Sequence, residues 1–445
     1  MLCDKIVEKD IDLEDIWKDD VLNRQQVAID FYNIIKGIDK NFVISINAEY
    51  GMGKTFFLKR WAKEIENDNN KVIYFDAWNY DFQKEPLIPF LSTIVKNFTE
   101  EKSLKLLSNK IIKSAKLLTN LIIQYIGGPS DITNKIDEYI KNDNIIDDYE
   151  EIDELITKYK KTIKDLVKNK KLYIIIDELE RCRPTYAIEL LEAIKHIFDI
   201  DNIIFILGIS REQLKHTVSQ MYGLNMDGDG YLKRFIDIEL QLPEPDRKSF
   251  CNMLTNHFNI NDTNDSIING WKCFFNYFSE LSDCYKLSLR DIIHCFSEIN
   301  ILHNILPERK FTLMPILAWL VILRNKKTDI YNNIENMSFE ELWNEYTSTM
   351  SQKSNHYDEM QRFIKAITLT DLRNKHYNLE QEKDNLYRER GQTNNSREER
   401  IMELNNELEE MTRVISTQDL IQRYNLEPNE VLHLLKKKML YLSSD

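Results

Sequence analysis

The stretch AEYGMGKT, Ala48–Thr55, decides how the chain is read. A loop that cradles phosphate needs consecutive backbone N–H groups curled around an anion, a lysine that reaches the terminal phosphates, and a hydroxyl for Mg²⁺. Gly51 and Gly53 allow close backbone approach, Lys54 supplies the charge and Thr55 the metal ligand. The usual pattern opens with glycine. Here Ala48 opens it, a residue that disfavours positive φ but adds only one methyl group. The flanks support the motif. NFVISIN (41–47) is apolar and rich in β-branched residues, as a buried strand requires. TFFLKRWAKEIEN (55–67) places Phe57, Leu58, Trp61 and Ile65 at helical spacing, so a helix N-terminus is aimed at the anion. Ala48, Glu49, Tyr50, Gly51, Met52, Gly53, Lys54, Thr55 and Phe56 together form the candidate nucleotide-binding loop.

Outward from this loop, KVIYFDAWNYDF (71–82), KLYIIIDELER (171–181), NIIFILGIS (202–210) and FIDIELQLP (235–243) read as further strands. An amphipathic run from Arg24 to Ile35 precedes the loop, and YAIELLEAIKHIFD (186–199) is strongly helical. The alternation predicts an α/β fold around a central parallel sheet covered on both faces. Residues 85–170 read as a mostly helical insertion with a break at GGPSD (127–131). From about 246 onward the pattern is nearly all helical. The expected division is a nucleotide-binding domain over 1–245, a lid-like helical domain over 246–330 and a helical C-terminal region over 331–445.

In that last region, Leu372, Leu379 and Leu386 are spaced by seven, and GQTNNS (391–396) breaks the pattern. Ile401, Leu404, Leu408, Met411 and Ile415 then recur three and four apart. This predicts an antiparallel, coiled-coil-like hairpin over 372–415, with Ser396 and Glu399 as a capping box on its second helix. Residues 416–438 read as two short helices around a turn, which leaves a DNA-reading helix-turn-helix as an option.

The 445 residues carry 59 Lys+Arg against 73 Asp+Glu, a net charge of −14, which argues against a protein that coats nucleic acid. The composition, 42% hydrophobic and 30% charged, is that of a soluble globular chain. Six cysteines without CxxC pairing imply reduced thiols and a cytoplasmic protein. Lys105, Lys110, Lys113 and Lys116 interrupt the apolar run 104–126, so no transmembrane segment is expected there. The run reads as an amphipathic helix, packed in the fold or lying on a partner or membrane surface. LMPILAWLVIL (313–323) reads as a buried helix.

Nucleotide hydrolysis needs a carboxylate for the metal and a polar group for the attacking water. IIIDELER ends an apolar strand with Asp177 and Glu178; Asp177 would share Mg²⁺ with Thr55, and Glu178 would polarise water. Arg181 either senses phosphate or pairs with Glu180. Arg234 precedes the last strand, where a transition-state cation for a neighbouring subunit would stand. Arg290, in KLSLRDIIHC, opens a helix that would reach the γ-phosphate from a lid. Ser210 either orients water or γ-phosphate or begins the next helix as its N-cap.

Taken together, four stretches resemble the KAP family of P-loop NTPases, a branch of the STAND/AAA+-like ATPases. AEYGMGKTF is similar to the family's G-x-W-G-x-G-K-T loop, with Tyr50 for the tryptophan and Ala48 for the first glycine. VIYFDAWNY resembles its aromatic-rich strand end through Phe75, Asp76, Trp78 and Tyr80. IIIDELERC resembles its D-D-L-D-R-C segment through Asp177, Glu178, Leu179, Arg181 and Cys182. FILGISREQL resembles the following strand, with Ser210 where the family often has aspartate. The resemblance implies an ATPase that uses ATP and Mg²⁺, forms a homo-oligomer, hydrolyses slowly to reset an assembly, and acts in phage exclusion beside a separate effector protein. The reading that competes with it is a non-catalytic, nucleotide-binding scaffold for a protein or membrane partner.

Overall fold

The computed structural model describes residues 11–113, 145–168, 170–223, 225–260, 270–305, 313–350, 356–388, 395–423 and 426–440. The chain divides into two compact units, one ending at Pro245 and the other beginning at Asp246.

The first unit is built on five parallel strands: β1 (Phe42–Asn47), β2 (Lys71–Asp76), β3 (Leu172–Asp177), β4 (Ile203–Ile209) and β5 (Ile238–Gln241), in the spatial order β2-β3-β4-β1-β5. β3 and β4 are buried along their whole length, which is why both read as unbroken apolar runs rather than as alternating ones. Their side chains still divide by parity between two cores. Ile174, Ile176, Phe205 and Leu207 join one core, and Tyr173, Ile175, Ile204 and Ile206 the other.

The second of these cores is closed by α1 (Arg24–Ile35) and α2 (Lys54–Asn67), which bury Ala28, Ile35, Phe57, Leu58, Trp61 and Ile65. The first is closed by α3 (Leu87–Asn97), α4 (Lys102–Lys113), α5 (Ile145–Leu166), α6 (Pro184–Ile197) and α7 (Arg211–Tyr222). Pro184 starts α6, where its missing N–H has no intrahelical partner to lose. The sheet is thus covered on both faces, as the alternation of strand and helix predicts. In α4, Leu104 and Ile111 are buried in the core, so the described half of the run 104–126 is an amphipathic helix of the fold; its remainder lies outside the described residues. Among the described residues no helix is long and apolar enough to cross a membrane.

The second unit is helical throughout its described residues. The expected buried helix is Met314–Lys326, fully enclosed from Met314 to Leu323. Helices Leu372–Arg388 and Asn395–Arg423 form the hairpin. Leu372 packs with Val414, His376 meets Thr412 at 3.1 Å, and Arg400 meets Glu382 at 2.9 Å, a pairing that is antiparallel. Two expectations fail here. The second helix already includes Asn395, so Ser396 lies inside its first turn and does not cap it. That helix also continues to Arg423, so 416–423 is not a separate short helix; only Val431–Leu440 is. The hydroxyls of Ser416 and Thr417 donate back to Arg413 O at 2.8 and 3.1 Å, which lets both residues remain helical.

Candidate functional site

The parallel register places the polar strand ends at one edge of the sheet. Asp76 pairs with Asp177, Asp177 with Gly208, and Ile46 with Gly208, so β1, β3 and β4 end at a common level. The loop leaves β1 at this edge and enters α2 at Lys54. Gly51 and Gly53 adopt φ of 74° and 84°, left-handed values that a side chain would resist. Ala48 does not. Its N–H donates to Ile209 O at 3.2 Å, so it prolongs the β1–β4 ladder and is not among the residues with positive φ. The alanine therefore imposes no strain at the position where the common pattern has glycine.

Lys54, Thr55, Asp177 and Glu178 converge. Thr55 Oγ1 lies 2.7 Å from Asp177 Oδ2 and 3.1 Å from Glu178 Oε1. Tyr74 OH donates to the same Asp177 Oδ2 at 2.8 Å, and the Glu178 N–H donates to Asp177 Oδ1 at 2.9 Å. Burial pushes the Asp177 carboxyl up, opposed by the hydrogen bonds from Thr55 and Tyr74 and by the Lys54 charge. Burial, then the Asp177 charge, pushes Glu178 up as well. Glu178 also has φ 61°, a left-handed backbone that glutamate rarely adopts. The single Thr55 proton cannot serve both carboxylates. The cluster holds more acceptors than donors, all of them oxygen, which is the chemistry that suits Mg²⁺.

Arg181 pairs with Glu178, not with Glu180 as one expectation had it. Its guanidinium lies 5.6 Å from the Tyr50 ring centroid and 5.3 Å from that of Trp78. Glu180 instead takes Lys54, with Nζ 2.9 Å from Oε1, while Nζ also donates to Ala48 O at 3.2 Å. Glu49 is exposed, Met52 is buried, and the Arg60 guanidinium covers the Phe56 ring at 3.5 Å. Ser210 stands buried at the start of α7 but makes no capping bond. Asn47 does that work: its Oδ1 accepts the Arg211 N–H at 2.9 Å, and its Nδ2 reaches Gln241 Oε1 at 3.0 Å. Arg234 is exposed, lies 5.8 Å from the Tyr231 ring centroid, and precedes Asp237, whose carboxylate accepts the N–H of Val43 near the start of β1. Arg290 is exposed in the first turn of helix Leu289–Ile305, in the unit that begins at Asp246.

With the loop and the carboxylates brought to one sheet edge, the comparison with known proteins is decisive. The description of the KAP family P-loop domain matches residues 24–425. The chain belongs to the KAP family. It is similar to the phage T7 exclusion protein of Escherichia coli, 22% identical over 230 residues that make up 47% of this chain. They span 31% of that relative's length. Among solved structures it is similar to the ORC2 protein of Aeropyrum pernix in ADPNP–ADP complexes (16% identity, 77% of this chain and 78% of that one, TM-score 0.35). DnaA from Aquifex aeolicus bound to AMPPCP is another (12% identity, 99% of this chain and 100% of that one, TM-score 0.31).

Four residues outside the candidate set of this KAP domain pack at the site: Tyr74, Glu180, Gly208 and Arg24. A Cβ on Gly208 would fall 2.2 Å from Leu58 Cδ1 and 2.8 Å from Asp177 Oδ1, so glycine leaves room for the carboxylate. Arg24 is buried beneath the loop, with Nη1 donating to Pro243 O at 2.8 Å and Nη2 reaching Met52 O at 3.5 Å. Only Glu180 had a sequence signal, its place three residues beyond Asp177 in the same motif.

Proposed function

We propose that this KAP protein binds ATP with Mg²⁺ at the 48–56 loop and hydrolyses it slowly, as the switch or assembly subunit of an antiphage defence system with a separate effector. The observation that carries this reading is the meeting of Thr55 with both Asp177 and Glu178 beside Lys54. Thr55 Oγ1 and Asp177 would hold Mg²⁺, which would supply positive charge to offset that of the phosphates. The loop N–H groups and the N-terminus of α2 bind the phosphates, and the Lys54 ammonium reaches the terminal ones. Glu178 orients the attacking water and accepts its proton. Ser210, buried just after β4, is assigned the holding of that water or the γ-phosphate. Arg234, exposed before β5, is assigned service to the site of a neighbouring copy, a role that requires a homo-oligomer. The defence role draws on the family resemblance and on the name of the Escherichia coli relative.

The test is turnover by purified protein beside Lys54→Ala and Glu178→Gln, with mass read by light scattering. Slow hydrolysis by the wild type, none by either variant, and a larger ATP-bound assembly trapped by Glu178→Gln are expected. The scaffold reading has one observation in its favour: Glu180 neutralises the loop lysine. Absence of turnover with retained nucleotide binding would select it.

A further inference from the structure

Lys54 and Glu180 form an enclosed ion pair, with 7% and 0% of their side-chain surfaces exposed. Glu180 Oε2 is buried without a hydrogen-bond partner among the described residues, so Lys54 carries the compensation of this carboxylate. The same lysine is the one that terminal phosphates require. We propose that Glu180 is an internal anion that competes with the phosphates for Lys54, and thereby sets both the affinity of the loop for a nucleoside triphosphate and its dependence on Mg²⁺. The inference rests on the reading that nucleotide binds at this loop.

The argument is one of charge in a poorly screened place. Around Thr55, the carboxylates of Asp177, Glu178 and Glu180 face two cations, Lys54 and Arg181, and Arg181 is held by Glu178. A triphosphate adds negative charge to a cluster already in negative excess, and buried charges are little screened by salt. When Lys54 turns toward phosphate, Glu180 stays enclosed while its cation is shared or lost, and that penalty is subtracted from binding. Mg²⁺ reverses the sign of the cluster, so the penalty weighs most heavily when the metal is withheld. Glutamine at 180 keeps the shape and one acceptor but removes the charge. Aspartate keeps the charge but is one methylene shorter, so its hold on Nζ weakens.

The experiment is titration of a fluorescent ATP analogue against the full chain, with Mg²⁺ and with EDTA, together with thermal unfolding in the absence of nucleotide. Glu180→Gln is expected to lower Kd by about 10- to 100-fold, the value of a charged hydrogen bond, with the larger gain in EDTA. Glu180→Asp should fall between it and the wild type. In a Lys54→Ala background, Glu180→Gln should bring a much smaller gain, because only its repulsion of the phosphates is then left to remove; an equal gain in both backgrounds overturns the competition for Lys54. Equal or weaker binding by a Glu180→Gln protein that unfolds at the wild-type temperature overturns the proposal. If that variant does not fold, Glu180→Asp decides: tighter binding supports the competition, and unchanged or weaker binding overturns it. If neither the wild type nor the variants bind the analogue in either condition, the nucleotide reading itself fails and takes this one with it. If the wild type binds and glutamine brings no gain, only the competition is lost.

Discussion

At the C-terminal edge of the sheet, Lys54 meets Glu180 at 2.9 Å with almost none of either side chain in solvent. On the hairpin, Arg400 meets Glu382 at the same 2.9 Å, but 39% and 45% of their surfaces are exposed. Arg400 has Glu403 and Glu407 within reach as well, and Arg413 pairs with Glu409 in the same open setting. Water solvates the hairpin charges whether or not they pair, so those pairs contribute little. At the loop a charge that loses its partner stays desolvated, so the Lys54–Glu180 pair is consequential. The distances are equal. Burial makes the difference.

The contrast can be broken at several points. The largest effect is expected at Leu404, which is fully buried in the hairpin although charged residues surround it in sequence. Leu404→Ala should lower the unfolding free energy of the helical unit by about 2–4 kcal/mol in urea titration, because the apolar seam, not the ion pairs, holds the helices together. Gly208→Ala comes next. The added methyl would press on Leu58 and Asp177, and about 1–3 kcal/mol of destabilisation is expected in the same measurement, with weaker nucleotide binding beside it.

A smaller effect, and one that depends on pH, is expected at Glu192. This carboxyl is buried against the hydroxyls of Tyr231 (3.1 Å) and Tyr222 (3.4 Å), and burial raises it to about 7. A raised carboxyl binds its proton in the folded state first. Stability should therefore increase as pH falls through about 7 and level off near the ordinary value of 4.5. Glu192→Gln should reduce this slope in thermal melts between pH 8 and pH 5, leaving the part due to Glu189, which burial also raises to about 7; an unchanged slope would remove Glu192 as a source. The smallest effect is expected at Arg400, where Arg400→Ala should leave the melting temperature within measurement error. A clear loss there would overturn the contrast between the two regions.

The parts of the site that lie close together along the chain were legible as sequence. β1, the loop and α2 follow one another within residues 42–67, and each carries its own periodicity, glycine placement or charge. Asp177 and Glu178 end an apolar run that has no other use than a buried strand. Local pattern was also enough for the alternation that makes a parallel sheet, for the buried helix Met314–Lys326 and for the existence of the hairpin. It misplaced the limits of the second hairpin helix, because side-chain to backbone bonds at Ser416 and Thr417 leave no mark that distinguishes a turn from a continued helix.

The motifs already paired Thr55 with Asp177, 122 residues on; tertiary structure alone decided that Lys54 would meet Glu180 across 126 residues and Tyr74 meet Asp177 across 103. Strand order and register bring them to one edge, and neither is written in any single segment. The same holds for the space that Gly208 leaves for Asp177, which exists only because β3 and β4 pair at that level. The sequence by itself determined that a phosphate loop and a carboxylate strand are present. Folding decided that the loop lysine would be held by Glu180, since a buried charge takes the partner that geometry brings within reach.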